Sequence, residues 1–248
     1  MIHADNLCVV LVEPMGPLNI GSVCRAMMNF GFSDLRLVNP CGAYKSREAR
    51  KMALKADVLI DNARVYPGLI EALDQCHYAF GTTRRFGKYR NDFLLPDLAA
   101  QQAVSLPEHS RVALVFGRED KGLTTEELDL CQHFLTIPTH DDFASMNLAQ
   151  AVSVCLYEFS KALKNVSSKD VFGITPCNVE ELERMYQHMR QTLVDIEYSD
   201  PLNPDHILRT FRRCFGRAVL SERDVRVLQG LWSRIDWIEN ERRKKESS

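Results

Sequence analysis

From its first residues the chain alternates short continuous apolar runs with stretches whose apolar positions recur every three or four residues. Leu7 to Val12 is the first run and predicts a buried strand; Val23, Met27 and Phe30 then recur at helical spacing within Ile20 to Phe30, with Asn19 before that helix and Gly31 ending it. Leu35 to Val38 predicts a second strand, and the cation-rich stretch Tyr44 to Lys55 a second helix. Pro67 to Gln75 reads as helix, His77 to Phe80 as a short strand ending at Gly81-Thr82-Thr83, and Arg84 to Asn91 as a basic loop. Arg111 to Phe116 is a strongly apolar strand, Thr124 and Glu127 form a capping box for a short helix reaching Cys131, and Phe134 to Ile137 is a strand before Pro138. A long, mainly apolar helix covers Asn147 to Leu163. Strands and helices alternating at these lengths predict an α/β fold built on a parallel sheet with both faces covered.

Between Asn165 and Pro176, Ser167, Ser168, Gly173 and Pro176 interrupt all periodicity, which predicts a linker over 165–177 after an α/β domain at 1–164. From 178 to 248 the pattern is helical throughout. Asn178 with Glu181 caps a helix carrying Leu182, Met185, Met189, Leu193 and Ile196; Asn203-Pro204 opens a second helix, and Ser221 with Asp224 a third. The middle helix has Ile207, Leu208, Phe211, Cys214 and Phe215 on one face, and Arg209, Arg212, Arg213 and Arg217 opposite, facing solvent or a polyanion.

Composition narrows the class. With 248 residues, 45% of them hydrophobic and 26% charged, the chain can bury one large core and carry a small appendage. No apolar segment approaches the ~20 residues a membrane-spanning helix needs, and no secretory signal pattern opens the chain, so a cytoplasmic protein with no membrane partner is expected. The eight cysteines are scattered with no C-x-x-C pair, and no two histidines stand at i, i+4; reduced thiols are expected, and no metal site. A net charge of −2 means that any RNA affinity must come from local patches. Besides the arginine helix, these are Lys45, Arg47, Arg50, Lys51 and Lys55, and Arg84, Arg85, Lys88 and Arg90 beside the ligand end of the sheet.

Polar clusters follow the first and a later strand, and one precedes the long apolar helix; in an open parallel sheet such positions converge at the carboxyl ends of the strands, where ligands bind. Gly16 to Gly21 lacks the G-x-G-x-x-G spacing, and neither a G-x-x-x-x-G-K-[ST] loop nor a G-x-S-x-G elbow is present. Hydride transfer, phosphoryl transfer and acyl hydrolysis lose support. The amide, guanidinium, carboxylate and hydroxyl groups that remain suit the holding and orienting of a polar substrate.

Asn19-Ile20-Gly21-Ser22-Val23-Cys24-Arg25, Val115-Phe116-Gly117-Arg118-Glu119 with Gly122-Leu123, and Ser145-Met146-Asn147-Leu148-Ala149-Gln150-Ala151-Val152 occur in that order. Together they resemble the three motifs of the SPOUT RNA methyltransferases. Within that superfamily the chain resembles the TrmH-like ribose 2′-O-methyltransferases, and among them the TrmJ branch, in which a helical extension also follows the catalytic domain. The resemblance implies a parallel sheet with a C-terminal trefoil knot, assembled as a homodimer. It implies S-adenosyl-L-methionine held largely by main-chain contacts of Thr82, Thr83, Arg84, Gly117, Ile137, Ala144, Ser145 and Met146. It further implies 2′-O-methylation of a ribose in RNA, here tRNA at the first nucleotide of the anticodon loop, without metal.

Asn19, Arg25, Glu119, Ser145 and Asn147 are the implied catalytic set. Because guanidinium groups stay protonated in proteins, Arg25 is expected to clamp ribose and phosphate rather than act as a base. Met146 stands where leucine is usual, Ala144 where a second serine is common and Lys55 where glycine often occurs; none of these removes a polar group assigned to chemistry. Structural readings stand beside the functional ones: Asn19 and Asn147 as N-caps, Arg25 as a solvated helix residue, Glu119 as a surface carboxylate. Methylation of ribosomal RNA or of another tRNA nucleotide, and an RNA-binding dimer that has lost catalysis, are the alternatives at the level of function.

Overall fold

The apolar runs pair side by side into a seven-stranded, wholly parallel sheet in this computed structural model, which describes residues 2–84, 93–165, 176–200, 202–203 and 205–246. The strands are β1 (Leu7–Val12), β2 (Asp34–Val38), β3 (Arg64–Tyr66), β4 (Tyr78–Thr82), β5 (Phe93–Leu94), β6 (Val112–Phe116) and β7 (His133–Leu135), in the order β3-β2-β1-β6-β4-β7-β5. Successive side chains of a strand point to opposite faces, so one run feeds two cores. Leu7, Val9 and Leu11 of β1 join a cluster with residues of α1 (Pro17–Phe30), α2 (Arg47–Ala53), α3 (Asp57–Asn62), α5 (Pro96–Val104) and α7 (Leu148–Asn165). Cys8, Val10 and Val12 face the other cluster, with residues of α4 (Leu69–Ala72) and α6 (Thr125–Asp129). All eight cysteines are free, six of them buried.

The central register sets up the site. Val10 pairs with Val115 and Leu11 with Phe116, so the loops that leave β1 and β6 emerge side by side although a hundred residues separate them in sequence.

Several predicted boundaries move. The first helix begins at Pro17, with Gly16 at its N-cap, which places Asn19 inside the first turn instead of before it. The helix expected over Tyr44 to Lys55 breaks at Leu54, whose φ of +54° ends α2 before a 3-10 turn leads into α3. Strands β3 and β5 and helices α3 and α5 were not apparent in the hydrophobic pattern. Most of the expected linker, at 166–175, lies outside the described residues, as do Arg85, Lys88, Arg90 and Pro204.

The remaining helices, α8 (Val179–Asp195), α9 (Asp205–Ala218) and α10 (Glu222–Glu246), share a core of Leu182, Met185, Met189, Leu193, Leu208 and Trp232 among others. Two expected caps are present: Asn178 Oδ1 accepts from Glu181 N at 2.8 Å, and Asp224 Oδ2 accepts from Ser221 N at 2.9 Å. Among the described residues no helix is long and apolar enough to cross a membrane.

The arginine face of α9 departs from expectation. Arg209 Nε donates to Asp129 Oδ2 at 2.8 Å, and Arg212 grips Glu183 through both terminal nitrogens at 2.7 and 2.8 Å while donating to the Asp129 carbonyl and lying over the Tyr186 ring. Arg212 is only 12% exposed and Glu183 15%. Two of the four arginines expected to meet solvent or a polyanion therefore face inward, because carboxylates on α6 and α8 receive them. Arg212→Ala leaves a mostly buried Glu183 unpaired, which costs about 3 kcal/mol. Calorimetric unfolding is expected to show that loss without any RNA present; an unchanged transition returns Arg212 to the role of a solvent-facing cation.

These contacts also fix where α8–α10 sit. Asp129 and Gln132 precede β7, and Val179 N donates to the Cys76 carbonyl just before β4, so the helices dock at the amino ends of those strands.

Candidate active site

At the opposite, carboxyl ends of β4, β6 and β7 the chain opens a cavity of about 170 Å³. Thr82, Thr83 and Arg84 from the end of β4, Gly117 after β6, Ile137 after β7 and Ala144 to Met146 before α7 all line it. Every residue expected to hold the cofactor is thus at one cavity. Its wall combines apolar Leu135, Ile137 and Leu148 with the hydroxyl-bearing Thr82, Thr139 and Ser145, which fits a ligand with one apolar and one polar end.

The loop after β6 closes as a tight turn, with Arg118 N donating to Gly122 O at 3.2 Å and Gly122 N returning to Arg118 O at 2.8 Å. Arg118 holds that turn in place. Its Nε donates to Glu13 Oε2 at 2.8 Å, and its terminal nitrogens grip Glu127 at 3.0 and 2.9 Å. Glu127 at the same time closes the capping box of α6, accepting from Thr124 N at 2.8 Å. Arg118 thereby ties the loop after β1 to the loop after β6 and to α6. It stood between two named motif residues, but nothing in the sequence disclosed that Glu13 and Glu127 would flank it.

Glu119 binds the start of α1. Its Oε2 accepts from Met15 N at 2.9 Å, and its Oε1 from Gly16 N at 3.1 Å and from Asn19 Nδ2 at 2.7 Å. Asn19 Oδ1 in turn accepts from Asn147 Nδ2 at 2.9 Å, while Asn147 Oδ1 takes the Ala149 N–H at 2.9 Å and so caps α7. The three motifs meet in one hydrogen-bonded chain, Glu119–Asn19–Asn147. Asn147 both caps and connects; Asn19 only connects. Glu119 is no idle surface carboxylate, since it satisfies amides at a helix N-terminus from another loop.

Burial alone would raise the Glu119 pKa, yet the hydrogen bonds from Asn19, Met15 and Gly16 outweigh it and hold the carboxyl below its ordinary value of 4.5. A folded-state pKa lowered in this way adds stability that is complete above the ordinary value and fades as pH falls through the folded one. Glu119→Gln, which offers one acceptor oxygen and an opposing N–H, is expected to cost about 1.5–3 kcal/mol at pH 7. In urea titrations the gap to the parent should narrow between pH 5 and pH 3 on general linkage grounds, roughly one unit either side of the carboxylate range; a gap that ignores pH rules out the charge as its source.

Ser145 lines the cavity and is exposed. Arg25 does not line it. Arg25 is exposed on α1, and among the described residues no hydrogen bond or ion pair engages it. Of the five residues in the expected catalytic set, the structure joins three directly, adds Ser145 through the cavity wall and leaves Arg25 apart. Of the basic patches, Arg50 pairs with Asp61 at 3.0 and 2.6 Å.

Fold and cavity define an α/β protein with a cavity where its parallel strands end, walled by hydrogen-bonded loops and, among the described residues, by no cysteine, histidine or hydrogen-bonded lysine–serine pair that would activate a nucleophile. The chain belongs to the SpoU rRNA Methylase family, whose model matches residues 6–157; residues 180–247 match the C-terminal domain of the tRNA methyltransferase TrmJ. It is 37% identical over 238 residues, 92% of each chain, to the tRNA (cytidine/uridine/adenosine-2′-O-)-methyltransferase TrmJ of Pseudomonas aeruginosa (strain UCBPP-PA14). Among solved structures, TrmJ from Z. mobilis ZM4 matches with a TM-score of 0.79 and 33% identity over 92% of this chain and 98% of that one. A structure described as giving insight into the 2-OH methylation of C/U34 on tRNA matches with a TM-score of 0.53 and 27% identity, over 66% of this chain and 100% of that one.

Proposed function

We infer that this protein transfers a methyl group from S-adenosyl-L-methionine to a ribose 2′-hydroxyl in the anticodon loop of tRNA, at the first nucleotide of that loop. The observation that carries this reading is the hydrogen-bonded chain Glu119–Asn19–Asn147 at the rim of a cavity lined by all the expected cofactor residues. The match of residues 180–247 to the TrmJ C-terminal domain and the match to a TrmJ relative along 92% of each chain support tRNA as the substrate over ribosomal RNA. The structure described for C/U34 methylation matches 66% of this chain over its own full length, so it carries no counterpart to the remaining third.

When bound, S-adenosyl-L-methionine supplies a sulfonium methyl that is already activated. The protein then has to place a sugar hydroxyl in line with that methyl and ease the departure of its proton. Asn19, Glu119 and Asn147 are positioning residues, each already committed to a fold-making hydrogen bond. A carboxylate held ionised by three donors is a poor proton acceptor, which leaves Glu119 a structural anion. Ser145, exposed on the wall, and Arg25, charged and uncommitted among the described residues, are the groups left to meet substrate. Arg25 grips the phosphate beside the target ribose and stabilises charge that develops on the hydroxyl oxygen.

The absence of Arg25 from the wall of its own cavity, together with its exposure, supports a homodimer in which it serves the partner's site. An assembly of two chains also answers the placement of α8–α10 at the far end of the strands from the cavity. The insertion of β7 between β4 and β5, which precede it in sequence, supports the C-terminal trefoil knot. We assign residues 1–164 to catalysis, 165–177 to a linker and 178–248 to RNA contact, and place the protein in the cytoplasm with its tRNA.

Mapping of ribose methylation in tRNA from cells lacking the gene tests the assignment. Loss of the mark at the first nucleotide of the anticodon loop is the expected result. An intact anticodon loop overturns the choice of substrate.

A further inference from the structure

We propose that Phe143 is the platform on which the base of the target nucleotide stacks, a subsite adjoining the proposed methyl-transfer cavity and resting on the reading of RNA as the substrate. Phe143 is 80% exposed, far beyond what the fold requires of a phenylalanine. It stands between Thr139 and Ala144, both on the cavity wall, yet its own ring is not part of that wall. Within one chain the ring is therefore exposed to solvent beside the cavity wall in sequence and forms no part of that wall.

The segment holds this pose by local bonds. Phe143 N donates to His140 O at 3.1 Å, His140 Nδ1 accepts from Asp142 N at 3.3 Å, and Thr139 Oγ1 donates to Ala144 O at 3.3 Å. Two residues on lies Ser145, at most about 7 Å along the chain, and Asn147 then joins the segment to Asn19. A base resting on Phe143 thus belongs to the same nucleotide whose sugar reaches Ser145.

The chemistry of the neighbours selects the part of RNA that is bound. Asp141 and Asp142 are both exposed and repel phosphate, so this segment cannot serve the RNA backbone. A base offers a π face to the ring, and cytosine in addition offers an exocyclic amine to a carboxylate.

Full-length Phe143→Ala and Phe143→Trp are compared with the parent on a tRNA transcript, with S-adenosyl-L-methionine binding read separately by calorimetry and association state by light scattering. The stacking role predicts a KM for tRNA raised roughly tenfold to a hundredfold in the alanine variant and nearly restored by tryptophan. Cofactor affinity, thermal midpoint and association state should not move. An unchanged KM in Phe143→Ala overturns the proposal, as does a loss that tryptophan fails to restore or that follows a changed association state. Methyl transfer by the parent is the control: its absence overturns the RNA reading itself, whereas intact parental transfer with an indifferent alanine variant overturns the stacking role alone.

Discussion

Replacing Arg25 by alanine is expected to lower turnover on tRNA by about a hundredfold to a thousandfold, the cost of removing one preorganised group that stabilises developing charge. The fold should not register the change. Arg25 is exposed on α1 and makes no hydrogen bond or ion pair among the described residues, so its removal strands no partner. The affinity for S-adenosyl-L-methionine should also hold, because Arg25 is absent from the cavity wall. Loss of rate without loss of stability or cofactor binding separates a catalytic guanidinium from a solvated helix residue. Arg25→Lys keeps the charge but not the bidentate fork and should recover only part of the rate. Single-turnover kinetics on a tRNA transcript, with calorimetry for the cofactor, provide the measurement; an unaltered rate withdraws Arg25 from the chemistry.

The same position tests whether sites are shared. Six residues beyond Asn19, a helix has advanced about 9 Å and turned so that the two side chains diverge by about 120°. Asn19 is bonded into the rim of its own cavity, so Arg25 points elsewhere. Mixed dimers of Arg25→Ala subunits with subunits defective in cofactor binding should regain activity if each arginine reaches across; no regain ties Arg25 to its own subunit.

Why some of this was legible in sequence and some was not has a physical basis. Strands β1 and β6 announce themselves because both of their faces are buried, which leaves unbroken apolar runs. Strand β3 lies at an edge with two of its three residues exposed, and β5 has two residues, so neither carries a pattern to find. Pro17 in fact signalled the true start of α1, since proline favours the first helical position, but the polar Asn19 drew the boundary inward. The cavity residues were reached through motif resemblance, not periodicity. Arg209 and Arg212 show the limit most clearly: helical spacing says which residues share a face, but not that Asp129 and Glu183 wait opposite it.

Gly117→Ala should abolish cofactor binding, an effect as large as that of Arg25 but of the opposite kind. A Cβ at Gly117 falls 2.1 Å from the Gly122 carbonyl carbon, 2.2 Å from Leu123 N and 2.4 Å from Gly122 O. These are backbone atoms of the facing limb of the turn, and no rotamer change moves them aside. The turn must open. Opening it breaks the paired bonds between Arg118 and Gly122, displaces Arg118 from Glu13 and Glu127, and carries Glu119 away from the start of α1. One methyl group thus disturbs both the cavity wall and the rim. Strand β6 itself stays paired to β1 and β4, so the sheet should survive, with a stability loss at least that of Glu119→Gln, about 1.5–3 kcal/mol, because the Glu119 bonds are among those broken. Gly122→Ala is the internal comparison: its φ of +68° disfavours a side chain, but nothing lies within 4 Å of the added atom. That variant should bind S-adenosyl-L-methionine more weakly than the parent yet detectably. Calorimetric titration of both folded variants decides the matter, and a Gly117→Ala protein that binds the cofactor with parental affinity shows that the turn is not what shapes the site.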